Sequence, residues 1–271
     1  YDAWLRSRIA EILGNLDDTQ HYKVVAEKLK ENYNHTFYNP RIKGYATGSQ
    51  AANAMPLAFG IVEATNREDV LDSLVKDVVS RDYGVTAGDV GYRYLLEALA
   101  AGGRSDVIYK MINRDDKPGY GYQLKKGATS LCESWDANNS SSHDHFMLGQ
   151  IIQWFYRDLG GISCDMQGPG FKKIIIRPTP VEDLAWVRVA YNSQIGLITS
   201  EWHHEQGKFK LNITIPAGTT ATVFIPALSA EAITEGGNPA KTAEGVRLVG
   251  AEKQNAVLEV ESGRYAFESV F

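Results

Sequence analysis

Two neighbouring runs, Gly127-Ala-Thr-Ser-Leu-Cys-Glu-Ser-Trp-Asp136 and Ser142-His-Asp-His-Phe-Met-Leu-Gly149, concentrate the side chains best suited to chemistry. Carboxylates carry acid–base work on a glycosidic bond. An aromatic ring packs against the C–H face of a sugar. Glu133 beside Trp135, with Asp136, His143 and His145 close by, therefore points to a sugar-cleaving site. Asp136 with the His-x-His pair is also a conceivable metal set, but two histidines fall short of one. No metal and no cofactor is expected. A nucleophilic Cys132 is disfavoured because the adjacent Glu133 carboxylate raises a thiol pKa. Two further residues complete the candidates. Tyr122, near Tyr120, can line a pocket or pack the scaffold. Asp89, in Thr86-Ala-Gly-Asp89, can bind a hydroxyl or cap the helix that follows.

Something must hold these residues, and the composition is that of an ordinary folded protein. The chain has 271 residues, 44% hydrophobic and 23% charged, enough for one large or two smaller domains. A net charge of -5 argues against nucleic acid or an anionic membrane as partner. No apolar run approaches the ~20 residues of a membrane span. The chain opens at Tyr1 without Met and already helical in pattern, so it reads as a piece of a longer protein. The two cysteines, Cys132 and Cys164, fit no zinc spacing.

Apolar residues recur at three and four through residues 1–165 and at two thereafter. The first half predicts helices over about 1–13, 19–33 (with Thr19 as N-cap), 48–62 (with a kink at Pro56), 67–80, 91–101, 105–112 and 146–159. Helices rich in small and apolar residues alternate with charged, amphipathic ones. That alternation fits two concentric layers, as in an (α/α) barrel of helical hairpins. The glycine-containing loops 44–48, 84–88 and 119–121 each precede an inner helix or the glutamate motif, and if they share one barrel end, that end is the pocket mouth. Residues 166–271 predict short antiparallel strands at 171–177, 184–191, 196–203, 208–215, 220–225, 256–260 and 264–270, with a hairpin turn at 205–208. Together they read as a β-sandwich. The fold class is thus α + β and multidomain.

Four runs together resemble bacterial α-L-rhamnosidases of glycoside hydrolase family 78: the two given above, Trp154-Phe-Tyr-Arg157 with Gly160-Gly-Ile162, and Gly168-Pro-Gly-Phe-Lys-Lys-Ile-Ile-Ile-Arg-Pro178. The resemblance covers essentially the whole chain. It implies the later part of an (α/α)6 catalytic barrel followed by the C-terminal β-sandwich. It also implies that Glu133 is the general base, that His145 binds the sugar with Asp144 where Asn is usual, and that Trp135 belongs to the same motif. Cys132 stands where an aromatic is common and Ser134 where Arg is common. The family inverts stereochemistry, which requires two carboxyl groups about 6.5–9.5 Å apart with a water between. The family's acid comes from a segment preceding the portion present here, and residues 1–130 hold no match. The resemblance therefore implies a C-terminal fragment carrying the base without the acid, inactive alone. Its partners would be a rhamnose-containing glycan or glycoside and the missing N-terminal part of the same protein. A non-catalytic carbohydrate-binding or scaffold protein, or another enzyme on this barrel, are the competing readings.

Overall fold

Local start and stop signals define the helices of the first half. Helix α1 (Asp2–Ile12) runs into Gly14, whose φ of +74° turns the chain so that Asn15 starts α2 (Leu16–Phe37). Asn15 is the cap: its Oδ1 accepts the Asp18 N–H at 3.1 Å and its Nδ2 donates to Asp18 Oδ2 at 2.8 Å. Thr19, the cap expected from sequence, lies within the first turn and donates its hydroxyl back to the Asn15 carbonyl at 2.6 Å. The computed structural model describes residues 1–181 and 183–271. The chain divides into two units, Tyr1–Gln150 and Ile151–Phe271.

In the first unit a two-stranded ribbon, β1 (Tyr38–Asn39) and β2 (Gly44–Tyr45), leads into α3 (Gln50–Ala58), capped by Ser49. Pro56 sits in the last turn of α3, and its carbonyl accepts the Ile61 N–H as the helix ends. Then follow α4 (Arg67–Ser80), α5 (Asp89–Ala101) and α6 (Ser105–Asn113). The short α7 (Tyr120–Lys125) was not expected, being too brief to show a period. Amphipathic α4 buries Val70, Leu74, Val75 and Val78. The small-residue helices α3 and α5 pack directly together, and a Cβ added at Gly91 would stand 2.8 Å from that of Ala51. Only a glycine permits that approach. The layering of inner, small-residue helices against outer, amphipathic ones is that of part of a helical barrel.

The helix expected over 146–159 is broken into three. Phe146–Gln150 is a 3-10 turn closing the first unit; α8 (Ile151–Trp154) and a π turn, Phe155–Leu159, open the second. The π turn closes with the Gly160 N–H on the Phe155 carbonyl at 2.8 Å. Apolar spacing alone does not distinguish these three helix types.

The second unit is a sandwich of two sheets. Its strands are β3 (Ile162–Cys164), β4 (Lys173–Ile176), β5 (Trp186–Ser193), β6 (Gly196–Glu205), β7 (Lys208–Ile215), β8 (Thr220–Pro226), β9 (Thr234–Glu235), β10 (Asn238–Pro239), β11 (Val246–Glu252), β12 (Asn255–Val260) and β13 (Gly263–Val270). One sheet has the order β10-β9-β13-β7-β6-β5 and the other β11-β12-β8-β4-β3. Alternation decides the faces: Phe209, Leu211, Ile213 and Ile215 are buried while Lys208, Lys210 and Asn212 are exposed. The β6–β7 turn has positive φ at Gln206 and Gly207, as a tight hairpin requires. One pair departs from the antiparallel expectation. β4 and β8 run parallel, because three strands of the other sheet intervene between them. No helix among the described residues is long and apolar enough to cross a membrane.

Candidate active site

The starts of α3, α5 and α7 lie together. The Val85 N–H donates to the Pro118 carbonyl at 3.0 Å, joining the loops that precede α5 and α7. Gln50, fully buried in the first turn of α3, holds the loop before α5. Its Nε2 donates to the Gly84 carbonyl at 3.0 Å, and its Oε1 accepts the N–H groups of Thr86 at 2.8 Å and Ala87 at 3.3 Å. Asn53, one turn further along the same face, does likewise for the loop before α3. It accepts the Tyr45 N–H at 2.8 Å and donates to the Gly48 carbonyl at 3.2 Å. Buried loop backbone must find partners, and a side-chain amide offers both a donor and an acceptor.

Trp135 joins this scaffold to the glutamate motif. Its indole N–H donates to the Ala87 carbonyl at 2.7 Å. The ring is 8% exposed and meets Tyr92 and Tyr120 edge-on, at centroid distances of 4.7 and 5.2 Å. Burial pushes the Tyr92 phenol well above its ordinary pKa, and Tyr120 adds to the shift, so this phenol stays neutral. On the other side of Glu133, Gln123 of α7 is 3% exposed and grips the motif's backbone. Its Oε1 accepts the Cys132 N–H at 3.4 Å, and its Nε2 donates to the carbonyls of Ser134 at 3.0 Å and Cys132 at 3.4 Å.

Glu133 itself is exposed to solvent. Its N–H donates to the Ser142 carbonyl at 2.9 Å, and its Oε2 accepts the Ser142 N–H at 3.2 Å. The His145 N–H donates to the Leu131 carbonyl at 2.9 Å, so the two motif runs lie alongside each other. The Glu133 carboxylate has no ion-pair partner among the described residues. Asp136, also exposed, accepts hydrogen bonds from the Ser134 hydroxyl and the Asn138 N–H. Cys132 is a buried free thiol.

Asp89 and His145, far apart in sequence, are brought together. Asp89 begins α5, with Oδ1 accepting the Val90 N–H at 2.9 Å and Oδ2 lying 3.7 Å from His145 Nε2. That ring nitrogen is buried and makes no hydrogen bond among the described residues. The Asp89 carbonyl accepts from Gln150 Nε2 at 3.3 Å, tying the start of α5 to the turn that follows His145. Gly88, not Asp89, occupies the cap position of α5. Tyr122 keeps to its own helix, half-buried, with the Lys126 ammonium 5.3 Å above its ring. His143 is exposed in the loop, its Nε2 3.2 Å from the Asn138 carbonyl. Gln50, Asn53 and Gln123 escaped the sequence reading. The signal available was an amide within a run of small or apolar residues, as in Gln50-Ala-Ala-Asn-Ala-Met.

Residues 2–159 match the bacterial alpha-L-rhamnosidase 6 hairpin glycosidase domain, and residues 161–240 match the bacterial alpha-L-rhamnosidase C-terminal domain. An alpha-L-rhamnosidase of Formosa agariphila is 25% identical over all of this chain, which covers 30% of that protein. Among solved structures, the alpha-L-rhamnosidase from Dictyoglumus thermophilum is 32% identical with a TM-score of 0.89, over 100% of this chain and 31% of that one. The Streptomyces avermitilis alpha-L-rhamnosidase, solved with L-rhamnose, is 26% identical with a TM-score of 0.88, over 98% of this chain and 26% of that one. The chain thus spans about a third or less of the length of these relatives.

Proposed function

This chain belongs to the bacterial alpha-L-rhamnosidase six-hairpin glycosidase family, and on that premise we propose that residues 1–271 form the C-terminal part of an inverting α-L-rhamnosidase, contributing the general base. In this reading Glu133 takes a proton from the water that attacks the anomeric carbon. A carboxyl group outside residues 1–271 protonates the departing glycosidic oxygen. Asp89 and His145 hold a sugar hydroxyl, the buried Nε2 of His145 lying 3.7 Å from the Asp89 carboxylate and making no hydrogen bond among the described residues. Asp136 and Tyr122 bind at the periphery of the sugar. Trp135 serves the same subsite from beneath, with its N–H committed to Ala87.

The observation carrying this reading is the state of Glu133. It is a solvent-facing carboxylate with no cationic partner among the described residues, on a segment whose Cys132 and Ser134 peptide groups both bond to the Gln123 amide. A surface glutamate of no consequence does not call for such anchoring. The unlinked residues 1–271 should hydrolyse an aryl α-L-rhamnoside poorly or not at all, because loss of general acid assistance alone costs about 10²–10⁴ in rate.

The test uses the full-length protein. Glu133→Gln should lower kcat on an aryl α-L-rhamnoside by roughly 10²–10⁴ while rhamnose binding, measured calorimetrically, persists. Wild-type turnover in that variant refutes the base assignment. Proton NMR of the first product should show the inverted anomer. Retention would refute the mechanism, and binding without turnover in the wild type would favour a carbohydrate-binding protein.

A further inference from the structure

We infer that Gln123 is the positioning residue for Glu133, setting where its carboxylate stands; the inference rests on the reading of Glu133 as the base. The Gln123 amide reaches the peptide groups on both sides of that residue. It accepts from the Cys132 N–H and donates to the Cys132 and Ser134 carbonyls. At 3% exposure it lies beneath the segment and away from solvent, so it acts through the backbone and not on substrate. The Gln123 carbonyl accepts the Ala128 N–H at 3.0 Å, closing the end of α7 just before the glutamate segment. The Glu133 side chain has little else to direct it. Among the described residues its one hydrogen bond comes from Ser142, in an exposed loop.

The arrangement is the third instance of one device at this end of the helices. Asn53 pins loop 44–48, Gln50 pins loop 84–87, and Gln123 pins the glutamate segment. The first two hold loops that carry no carboxylate, whereas the third brackets one. The neighbouring anchor is independent: Trp135 fixes the far side of the segment through Ala87. Removing Gln123 should therefore free the Cys132–Ser134 backbone without releasing the tryptophan. A displacement of about 1 Å in a group that must address a water is worth about 10²-fold in rate.

Two variants of similar size separate position from packing. Gln123→Met removes the three side-chain hydrogen bonds, and Gln123→Glu keeps the acceptor while offering at most one O–H donor in place of the two N–H donors. In the full-length protein both should lower kcat on an aryl α-L-rhamnoside by about 10–100-fold with KM changed less than about twofold. In the Glu133→Gln background neither should lower the residual rate further, since Gln123 acts only through Glu133. Amide exchange should accelerate in the peptide covering 130–136 and stay unchanged in α3 and α5. Several results overturn the inference: wild-type kcat in both variants while Glu133→Gln is inactive, an undiminished further loss in the Glu133→Gln background, or loss of the folded far-ultraviolet circular dichroism signal in both. Full activity of Glu133→Gln is a separate arm. It removes the base assignment and this inference with it.

Discussion

Replacing Trp135 tests whether the glutamate segment is truly docked on the helical layer. Two contributions can be separated. Trp135→Phe keeps a ring against Tyr92 and Tyr120, now at 4.7 and 5.2 Å, but deletes the 2.7 Å bond to the Ala87 carbonyl. Ala87 is 1% exposed, so its carbonyl loses a partner in a place water reaches poorly. Stranding a buried acceptor costs about 1–3 kcal/mol. Trp135→Ala removes the ring as well, and truncating a buried tryptophan costs about 3–5 kcal/mol in all. The difference of about 2 kcal/mol between the variants is of the size expected for two edge-on aromatic contacts at about 0.5–1.5 kcal/mol each. Urea unfolding of the 271-residue chain, followed by circular dichroism at 222 nm, reports chiefly on the helical first unit. Amide exchange in β7 and β8 follows the second. The helical transition should move to lower urea and the sandwich transition should not. If Trp135→Phe shifts the helical transition by less than about 0.5 kcal/mol, the Ala87 bond is not a structural anchor and the docking argument fails.

Two further outcomes follow from the packing and the charges. Gly91→Val forces a side chain into the 2.8 Å gap at Ala51 and should destabilise the first unit by about 1–3 kcal/mol, read from the same 222 nm transition; an unchanged midpoint would mean α3 and α5 are not in close contact. In the sandwich, the Arg188 guanidinium and then His203 hold the Glu201 carboxyl at about 2, below its usual 4.5. A depressed folded value means this stabilisation is full above about 4.5 and disappears as pH falls toward 2. The pair is largely open to water, so the amplitude should stay below about 1 kcal/mol. Arg188→Met should flatten the acid limb of the sandwich's stability between those limits, and an identical limb would refute the pairing.

The residues also show which features sequence could carry and which needed three dimensions. Residues 67–80 form a helix at the bounds the apolar spacing indicates, and 208–215 a strand, because one face of each must be buried and burial repeats with the element's own period. The change of period along the chain likewise marks helices followed by sheets. The broken helix at 146–159, the parallel β4–β8 pair and the short α7 were out of reach. Each depends on hydrogen-bond partners that apolar spacing does not encode.

For the site, residue type and order alone single out Glu133, Trp135, Asp136 and His145 as one group, since the two short runs hold them together along the chain. Folding decided the rest. It set Asp89 beside His145 across 56 residues, turned Trp135 inward to the Ala87 carbonyl, left the Glu133 carboxylate facing water and placed three buried amides under three loops. The physical reason is that a loop's backbone donors and acceptors are satisfied by whatever the packed helices bring near. That neighbour is fixed by the layering of α3, α5 and α7, and by no pattern within the loop itself.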